Sequence, residues 1–287
     1  MDIEQSDLMA GGMTFRCRAA GPRNGRLVLL LHGFPQTSRV WDATLAALAE
    51  DGLRAVAFDQ RGYSPGARPD SVDAYAIKHL AGDVLAVARE LGADTFHLVG
   101  HDWGGIVAWQ IAGLHPDVLD SLTVVSTPHP TSFKAALHGE LGGDQPQRSA
   151  YADFLRQPDV AEDFLLASDA AGLRGLYSES PAEQVADYLA VLCDRRALTA
   201  SLNYYRATAF DEQPHVSSIQ VPTLYVWSTE DEFLGKEAAR ATAQHVAAPM
   251  TYVELEGVSH WIPDTAAAQF NALLQQHIRT AGAPDPT

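Results

Sequence analysis

The chain has few of the features that mark secreted, membrane-bound or nucleic-acid-binding proteins. Its two cysteines, Cys17 and Cys193, are far apart and show no metal-ligand spacing, so free thiols in a reducing compartment are expected. Lys and Arg total 20 against 36 Asp and Glu, and the net charge of -16 argues against nucleic acid or an anionic membrane as partner. The N-terminus lacks a signal-peptide pattern, and no apolar run reaches the length of a membrane span. These absences predict a soluble, cytoplasmic protein.

Short apolar segments alternate with amphipathic ones over the first part of the chain. With 287 residues and 46% hydrophobic residues, the composition suits one large globular domain or one domain with an insertion. Helical spacing between Ile77 and Leu91 separates two of these apolar segments. Strand-helix alternation of this kind predicts an α/β fold with a mostly parallel sheet flanked by helices. Strands are expected at 13–18, 27–31, 53–58, 95–99 and 122–125.

The pattern changes between residues 130 and 215. Buried-strand patterns are missing there, and helical segments are expected at 161–167, 181–192 and 197–207. Strand patterns return at 222–227 and 250–255, before a final helix near 264–278 and a tail, 282–287, that is expected to fray. The sequence therefore predicts one sheet domain, 1–129 and 216–287, with a helical cap, 130–215, inserted into it.

Residues 98–105 read Leu-Val-Gly-His-Asp-Trp-Gly-Gly, an apolar strand followed by a tight turn and a helical pattern. This arrangement is typical of a nucleophile elbow, in which the central residue is normally serine. Here the central residue is Asp102, which excludes a serine esterase. An aspartate between glycines is common in ordinary turns, so the interpretation depends on partners elsewhere in the chain.

Candidate partners follow two later strands. His260 comes after the strand at 250–255, in the position of an acid-base residue. The carboxylates of Glu230, Asp231 and Glu232 follow the strand at 222–227, whereas no carboxylate directly follows the strand at 122–125. Spacing favours Asp231 among the three without excluding its neighbours. The order nucleophile, acid, base is the one expected in this kind of sheet.

Three motifs together resemble the signatures of α/β-hydrolase-fold epoxide hydrolases. They are His-Gly-Phe-Pro at 32–35, Gly-His-Asp-Trp-Gly-Gly at 100–105 and Gly-Val-Ser-His-Trp at 257–261, in the order typical of that family. The resemblance covers nearly the whole chain. It implies that Asp231 is the acid and that the backbone N–H groups of Phe34 and Trp103 form the oxyanion hole. It also implies that Phe34 and Trp103 contact the substrate and that a cis peptide precedes Pro35.

The cap resembles the same family more loosely. Residues 202–206 resemble the segment that carries one ring-opening tyrosine, which places it at Tyr205. Tyr204 stands where the family more often has tryptophan. Residues 149–162 resemble the segment with the second tyrosine, at Tyr151. Helical periodicity alone favours a packing role for Tyr205, and the resemblance reverses that interpretation.

These residues predict a reaction that needs no cofactor or metal. Asp102 is ionised at pH 7, because an aspartate has a pKa of about 4, and it can attack an alkyl carbon to form an ester. His260, oriented by Asp231, would activate the water that hydrolyses the ester. The cap tyrosines would bind the departing epoxide oxygen. The expected partners are an epoxide and water, the product is a vicinal diol, and the oligomeric state is left open.

Three alternatives are weaker. A haloalkane dehalogenase uses the same nucleophile and base, but Phe34 has no side-chain N–H for halide and the cap offers tyrosines. A fluoroacetate-type dehalogenase would need arginine at the positions of Trp103 and Ile106. A non-catalytic α/β-hydrolase-fold ligand receptor has no need of a complete triad. The sequence also predicts a structural role for His32, in ordering its own loop.

Overall fold

Eight strands form one sheet in the order β1-β2-β4-β3-β5-β6-β7-β8. The structure, a computed structural model, describes residues 2–281. Strands β3 to β8 are parallel to one another, whereas β2 pairs antiparallel with both β1 and β4. The strands are β1 (Glu4–Ala10), β2 (Met13–Ala20), β3 (Leu27–Leu31), β4 (Arg54–Phe58), β5 (Phe96–His101), β6 (Leu119–Val125), β7 (Thr223–Glu230) and β8 (Met250–Ser259).

Helices flank this sheet. In the core, α1 packs against α12 and α2 against α3, and both pairs contact strands. The core helices are α1 (Asp42–Glu50), α2 (Ile77–Glu90), α3 (Trp103–Leu114), α10 (Lys236–Ala241), α11 (Ile262–Thr265) and α12 (Ala267–Ala281). The helices between β6 and β7 are α4 (Pro130–Leu137), α5 (Gln145–Arg148), α6 (Tyr151–Leu155), α7 (Val160–Leu176), α8 (Ala182–Leu192) and α9 (Arg195–Ala207). Short 3₁₀ segments lie at Ser38–Trp41, Val72–Tyr75, Pro116–Val118, Phe210–Glu212 and Thr242–His245.

The sheet confirms the predicted α/β fold with a mostly parallel sheet. All residues of β3 and β5 are buried, as expected for central strands covered on both faces. Strand β1 lies outside the strands that the sequence predicts, because it is an edge strand with mostly exposed residues and no apolar alternation.

The chain between β6 and β7 is helical throughout its described secondary structure. This helical insertion is joined to the core by buried hydrogen bonds. The Tyr204 hydroxyl donates to the Arg61 carbonyl at 2.8 Å, and the Tyr177 hydroxyl donates to the Pro35 carbonyl at 2.5 Å. Helix α7 is broken at 167–170, where Ser168, Asp169 and Ala170 adopt positive φ. Because Pro35 follows β3 and Arg61 follows β4, the two hydrogen bonds bring the insertion into contact with the loops after these strands.

Strands β7 and β8 run further than the sequence predicts, to Glu230 and Ser259. Asp231 and His260 therefore follow their strands immediately. The predicted final helix is two helices, α11 and α12, separated at Ala266, whose φ of -131° is not helical. No helix within residues 2–281 is long and apolar enough to cross a membrane. The fraying expected at 282–287 lies outside the described residues.

Candidate active site

Asp102 stands at the turn between β5 and α3. Its φ of 53° and ψ of -121° are a strained conformation for a residue with a side chain, as a nucleophile elbow requires. The neighbouring glycines allow the close approach that the turn needs. A Cβ at Gly104 would lie 2.4 Å from the Leu31 carbonyl oxygen, and one at Gly33 would lie 2.2 Å from Oδ1 of Asp102. The turn thus presents a carboxylate at the N-terminus of α3, where negative charge is favoured.

The carboxylate of Asp102 is held as an anion. The Phe34 backbone N–H donates to Oδ1 at 2.8 Å. Burial raises the pKa of Asp102, but the hydrogen bond and charge of His260 outweigh it. A hydrogen bond from the Trp103 backbone N–H lowers the pKa further, so it lies below its ordinary value. One carboxylate oxygen is therefore bound by Phe34, and the other faces His260.

His260 lies between two carboxylates. Its Nδ1 is 2.8 Å from Oδ2 of Asp231, and its Nε2 is 3.7 Å from Oδ2 of Asp102. Burial alone would lower the pKa of His260, but the two carboxylates outweigh this effect and raise the pKa to about 10. Before any reaction, the imidazole is therefore protonated at neutral pH.

Asp231 is the carboxylate that meets His260. Its Oδ1 accepts hydrogen bonds from the backbone N–H groups of Phe233 and Leu234, each at 2.9 Å. These two bonds leave Oδ2 directed at the imidazole. The other candidates for the acid, Glu230 and Glu232, are exposed. The three residues of the expected triad are thus brought together at the carboxyl ends of β5, β7 and β8.

Two further histidines support the loops around the site. Nε2 of His32 accepts from the Gln60 backbone N–H at 3.1 Å, which gives His32 the structural position expected from the sequence. His101 lies against His260, with ring centroids 4.8 Å apart, and its Nε2 is 3.0 Å from the His260 carbonyl oxygen. Burial, together with the charge of His260, lowers the pKa of His101 to about 3. His101 is therefore a neutral neighbour that braces the loop carrying His260.

The two expected cap tyrosines meet across the site from Asp102. Tyr151 begins α6 and Tyr205 lies on α9, and their ring centroids are 6.3 Å apart. Tyr205 also packs against Trp103, with centroids 5.0 Å apart. Burial is the main cause that raises the pKa of each tyrosine, and the charge of Asp102 adds to it. Both hydroxyls are therefore protonated at neutral pH.

Three other tyrosines of the helical insertion, Tyr177, Tyr188 and Tyr204, are bonded elsewhere. Tyr204 and Tyr177 donate to core carbonyl groups, as described above. The Tyr188 hydroxyl donates to Oδ1 of Asp264 at 2.8 Å. Among residues 2–281, no group of three or more His, Cys, Asp or Glu side chains is arranged to hold a metal ion.

Asp264 is a partly buried carboxylate for which the sequence offers no motif. Besides Tyr188, it accepts hydrogen bonds from Gln36 Nε2 at 2.8 Å and from Ser180 Oγ at 2.6 Å. Gln36 in turn contacts Nδ1 of His101 through its Oε1 at 3.1 Å. Asp264 thus links the helical insertion to the loops that carry the site. In the sequence, the one indication that Asp264 lies near the site is its position four residues after His260.

A cavity of about 190 Å³ contains the reacting groups. Asp102, His260, Tyr151 and Tyr205 all line it. The peptide between Phe34 and Pro35 at its edge is cis, as the resemblance implies. Of the remaining lining, the resemblance implies substrate contact for Phe34 alone. The other residues are apolar apart from the glycine and come from separate parts of the insertion and core: Pro35, Phe154, Leu155, Phe164, Leu165, Gly172, Leu176, Phe233 and Trp261.

Comparisons with known proteins agree with this fold. The family model of the alpha/beta hydrolase fold matches residues 26–267. The AB hydrolase superfamily protein YfhM of Bacillus subtilis (strain 168) is 32% identical, over 93% of this chain and 95% of its own length. Epoxide hydrolase 3 of Xenopus tropicalis is 30% identical, over 93% of this chain and 75% of its own length. The crystal structure of epoxide hydrolase A from Mycobacterium thermoresistibile is similar, with a TM-score of 0.84 and 26% identity, over 97% of this chain and 98% of that chain.

Proposed function

The chain belongs to the epoxide hydrolases of the α/β-hydrolase fold, and from that premise we propose that it opens an epoxide to a vicinal diol through an ester on Asp102. The observation that carries the proposal is the lining of one cavity, in which an ionised carboxylate faces two protonated tyrosines. A carboxylate with its pKa lowered is a ready nucleophile toward carbon. The tyrosine hydroxyls can donate hydrogen bonds to the epoxide oxygen as the ring opens.

The first step is attack of Asp102 on one epoxide carbon. Oδ1 is engaged by the Phe34 N–H, so Oδ2 is the oxygen that forms the new carbon–oxygen bond. The carbon–oxygen bond of the ring breaks as that bond forms, and negative charge develops on the epoxide oxygen. Hydrogen bonds from Tyr151 and Tyr205 stabilise this charge. The product of the step is a hydroxyalkyl ester of Asp102.

The proton for the new hydroxyl group comes ultimately from His260. Esterification removes the negative charge of Asp102, which is one of the two charges that hold the pKa of His260 high. Burial then lowers the pKa of the imidazole, and His260 releases its proton. That proton balances the one taken up by the opened epoxide oxygen through the tyrosines. Ring opening therefore leaves His260 neutral, in the form that serves as a base.

The second step is hydrolysis of the ester. Neutral His260, oriented by Asp231, takes a proton from a water that attacks the Asp102 carboxyl carbon. The backbone N–H groups of Phe34 and Trp103 stabilise the oxyanion that forms. The bond between the carboxyl carbon and the alkyl oxygen then breaks, and the alkyl oxygen takes up the second proton of the water. Release of the diol leaves Asp102 as a carboxylate and His260 as a protonated imidazole.

We also propose that residues 130–215 are a cap whose role is to supply the two tyrosines and the apolar wall of the cavity. Hydrogen bonds from Tyr177, Tyr188 and Tyr204 to the core support a docked position for this segment. Two cysteines without a disulfide fit a reducing compartment, and the cytoplasm is the compartment we propose. The proposed partners are a small-molecule epoxide and water, with no cofactor or metal.

Trapping the ester tests this function. His260→Gln removes the base and leaves Asp102 and the tyrosines, so styrene oxide should give a stable protein adduct equal in mass to the whole epoxide. Peptide mapping should place the adduct on Asp102, and the unaltered enzyme should release the diol. Turnover by the unaltered enzyme without an adduct in His260→Gln, or an adduct on another residue, would overturn the mechanism. An adduct formed only from alkyl halides, and lacking the halogen, would indicate a dehalogenase.

A further inference from the structure

We infer that the substrates are uncharged epoxides with one large apolar substituent and, on the other side of the ring, nothing larger than about a methyl group. This inference rests on the proposed function, because it takes Asp102 as the nucleophile. It comes from the unequal space on the two sides of that residue.

The larger space is the 190 Å³ cavity that contains the reacting groups. Phe154, Leu155 and Leu165 supply part of its wall away from Asp102. Phe164 also lines it, and 61% of Phe164 is exposed, so the cavity approaches the surface along α7. An aryl or branched alkyl group can therefore be buried here, and burial of its apolar surface would contribute to binding.

The smaller space also borders Asp102, has otherwise largely different walls and measures about 20 Å³. Tyr151 and Phe233 border both spaces, so the two meet at the nucleophile. A water needs at least about 10–15 Å³ of such space, so roughly one water or methyl group fits. A phenyl ring does not fit without displacing the walls.

Buried side chains from the core and from the helical insertion form the walls of the smaller space. Trp103, Ile106 and Phe133 line it and are 2%, 7% and 5% exposed. Trp103 and Ile106 lie on α3, directly after the elbow, so a shift of this wall would also move the nucleophile. Packed interiors resist such overpacking, and the small side is therefore expected to reject bulk.

Charge narrows the substrates further. Among the described residues 2–281, no lysine or arginine lines either space, and Asp102 and His260 are the ionisable acid and imidazole in their linings. An anionic substituent would meet no cation other than the imidazolium of His260, which already lies between two carboxylates. The net charge of the chain, -16, opposes anions as well. The large substituent is accordingly neutral.

Three neutral epoxides that differ only on the second carbon test this inference. Styrene oxide carries hydrogen there, trans-β-methylstyrene oxide carries methyl, and trans-stilbene oxide carries phenyl. We expect kcat/KM for the first two to agree within about tenfold, because a methyl group fits the smaller space. For trans-stilbene oxide we expect kcat/KM to be lower by about 100-fold or more.

A matched pair of variants shows which wall excludes the second phenyl group of trans-stilbene oxide. Phe133→Ala enlarges the smaller space and should raise the ratio of kcat/KM for trans-stilbene oxide to that for styrene oxide by about tenfold or more. Phe154→Ala removes the same atoms from the larger cavity and should leave this ratio within about threefold. Because the ratio is taken within each variant, partial unfolding does not affect it. Ile106→Ala is the second variant for the small side, if Phe133→Ala does not fold.

The outcomes separate this inference from the proposed function. If trans-stilbene oxide is hydrolysed as well as styrene oxide, or if Phe154→Ala raises the ratio as much as Phe133→Ala, the inferred substrate shape is wrong while the enzyme remains an epoxide hydrolase. If none of the three epoxides is hydrolysed and none alkylates His260→Gln, the proposed function itself fails.

Discussion

The two halves of the active site are held in place by different means. In the core half, Asp102, Asp231 and His260 each follow a strand of the central sheet within one or two residues. In the helical insertion, Tyr151 and Tyr205 come from separate helices and meet through aromatic packing. Strand ends position the nucleophile, acid and base locally, whereas the tyrosines depend on how the whole insertion docks. Under the proposed mechanism, the sheet therefore supplies the nucleophile, acid and base, and the insertion supplies the groups that bind the epoxide oxygen.

Loss of the Asp231 charge tests the core half and has the largest expected effect. Asp231→Asn should slow ester hydrolysis by about 10⁴-fold, because the orientation of His260 and the stabilisation of its imidazolium are lost. Ring opening should suffer less, so the ester should accumulate in rapid-quench mass spectrometry. Glu232→Gln is the matched control, since Glu232 is exposed beside Asp231 and should have no effect. If Asp231→Asn slows ring opening and ester hydrolysis equally, Asp231 positions the nucleophile as well.

Removal of the tyrosine hydroxyls tests the insertion half. Tyr205→Phe and Tyr151→Phe should each slow ring opening by about 10²–10³-fold, the range typical of a positioned proton donor. Hydrolysis of an ester already formed should change little. Tyr204→Phe is the control, because its hydroxyl bonds to the Arg61 carbonyl and not to the site. Single-turnover ester formation measures these rates, and an effect of Tyr204→Phe as large as that of Tyr205→Phe would reduce the tyrosines to packing residues.

Loss of the Asp264 hydrogen bonds, which join the helical insertion to the core, has the smallest expected effect. Asp264→Ala removes the acceptor for Gln36, Ser180 and Tyr188, and should lower the free energy of unfolding by about 1–3 kcal/mol. Urea denaturation measures this change. Glu256→Ala, at an exposed carboxylate, is the control and should have little effect. If both variants unfold alike, Asp264 does not contribute to docking of the insertion.

The same contrast explains what the sequence can predict. The sequence can predict Asp102 and His260 because the loops that follow parallel strands meet at one edge of the sheet. The same rule narrows the acid to three neighbouring carboxylates. In the fold, the hydrogen bonds that Asp231 accepts from the Phe233 and Leu234 amides distinguish it from the other two. The sequence predicts most of the strands because they are apolar segments, and these segments form strands of the sheet in the structure.

Other features follow from tertiary packing and leave little trace in the sequence. Strand β1 has an exposed edge pattern, so periodicity does not reveal it. Tyr205 shares its helical face with apolar residues, and only the family resemblance distinguishes it from Tyr204 or Tyr177. Asp264 carries no motif because its three donors come from distant segments. The unequal spaces beside Asp102 likewise depend on side chains from six or more separate segments.

The source of the oxygen in the diol tests the ester on Asp102 most directly. With enzyme in excess over styrene oxide in H₂¹⁸O, water attacks the Asp102 carboxyl carbon, and the alkyl group leaves with an original carboxylate oxygen. A single turnover should therefore place ¹⁸O in the Asp102 peptide and yield a diol without label. Label in the diol during the first turnover, with none in Asp102, would show that water attacks the epoxide directly and would contradict the account.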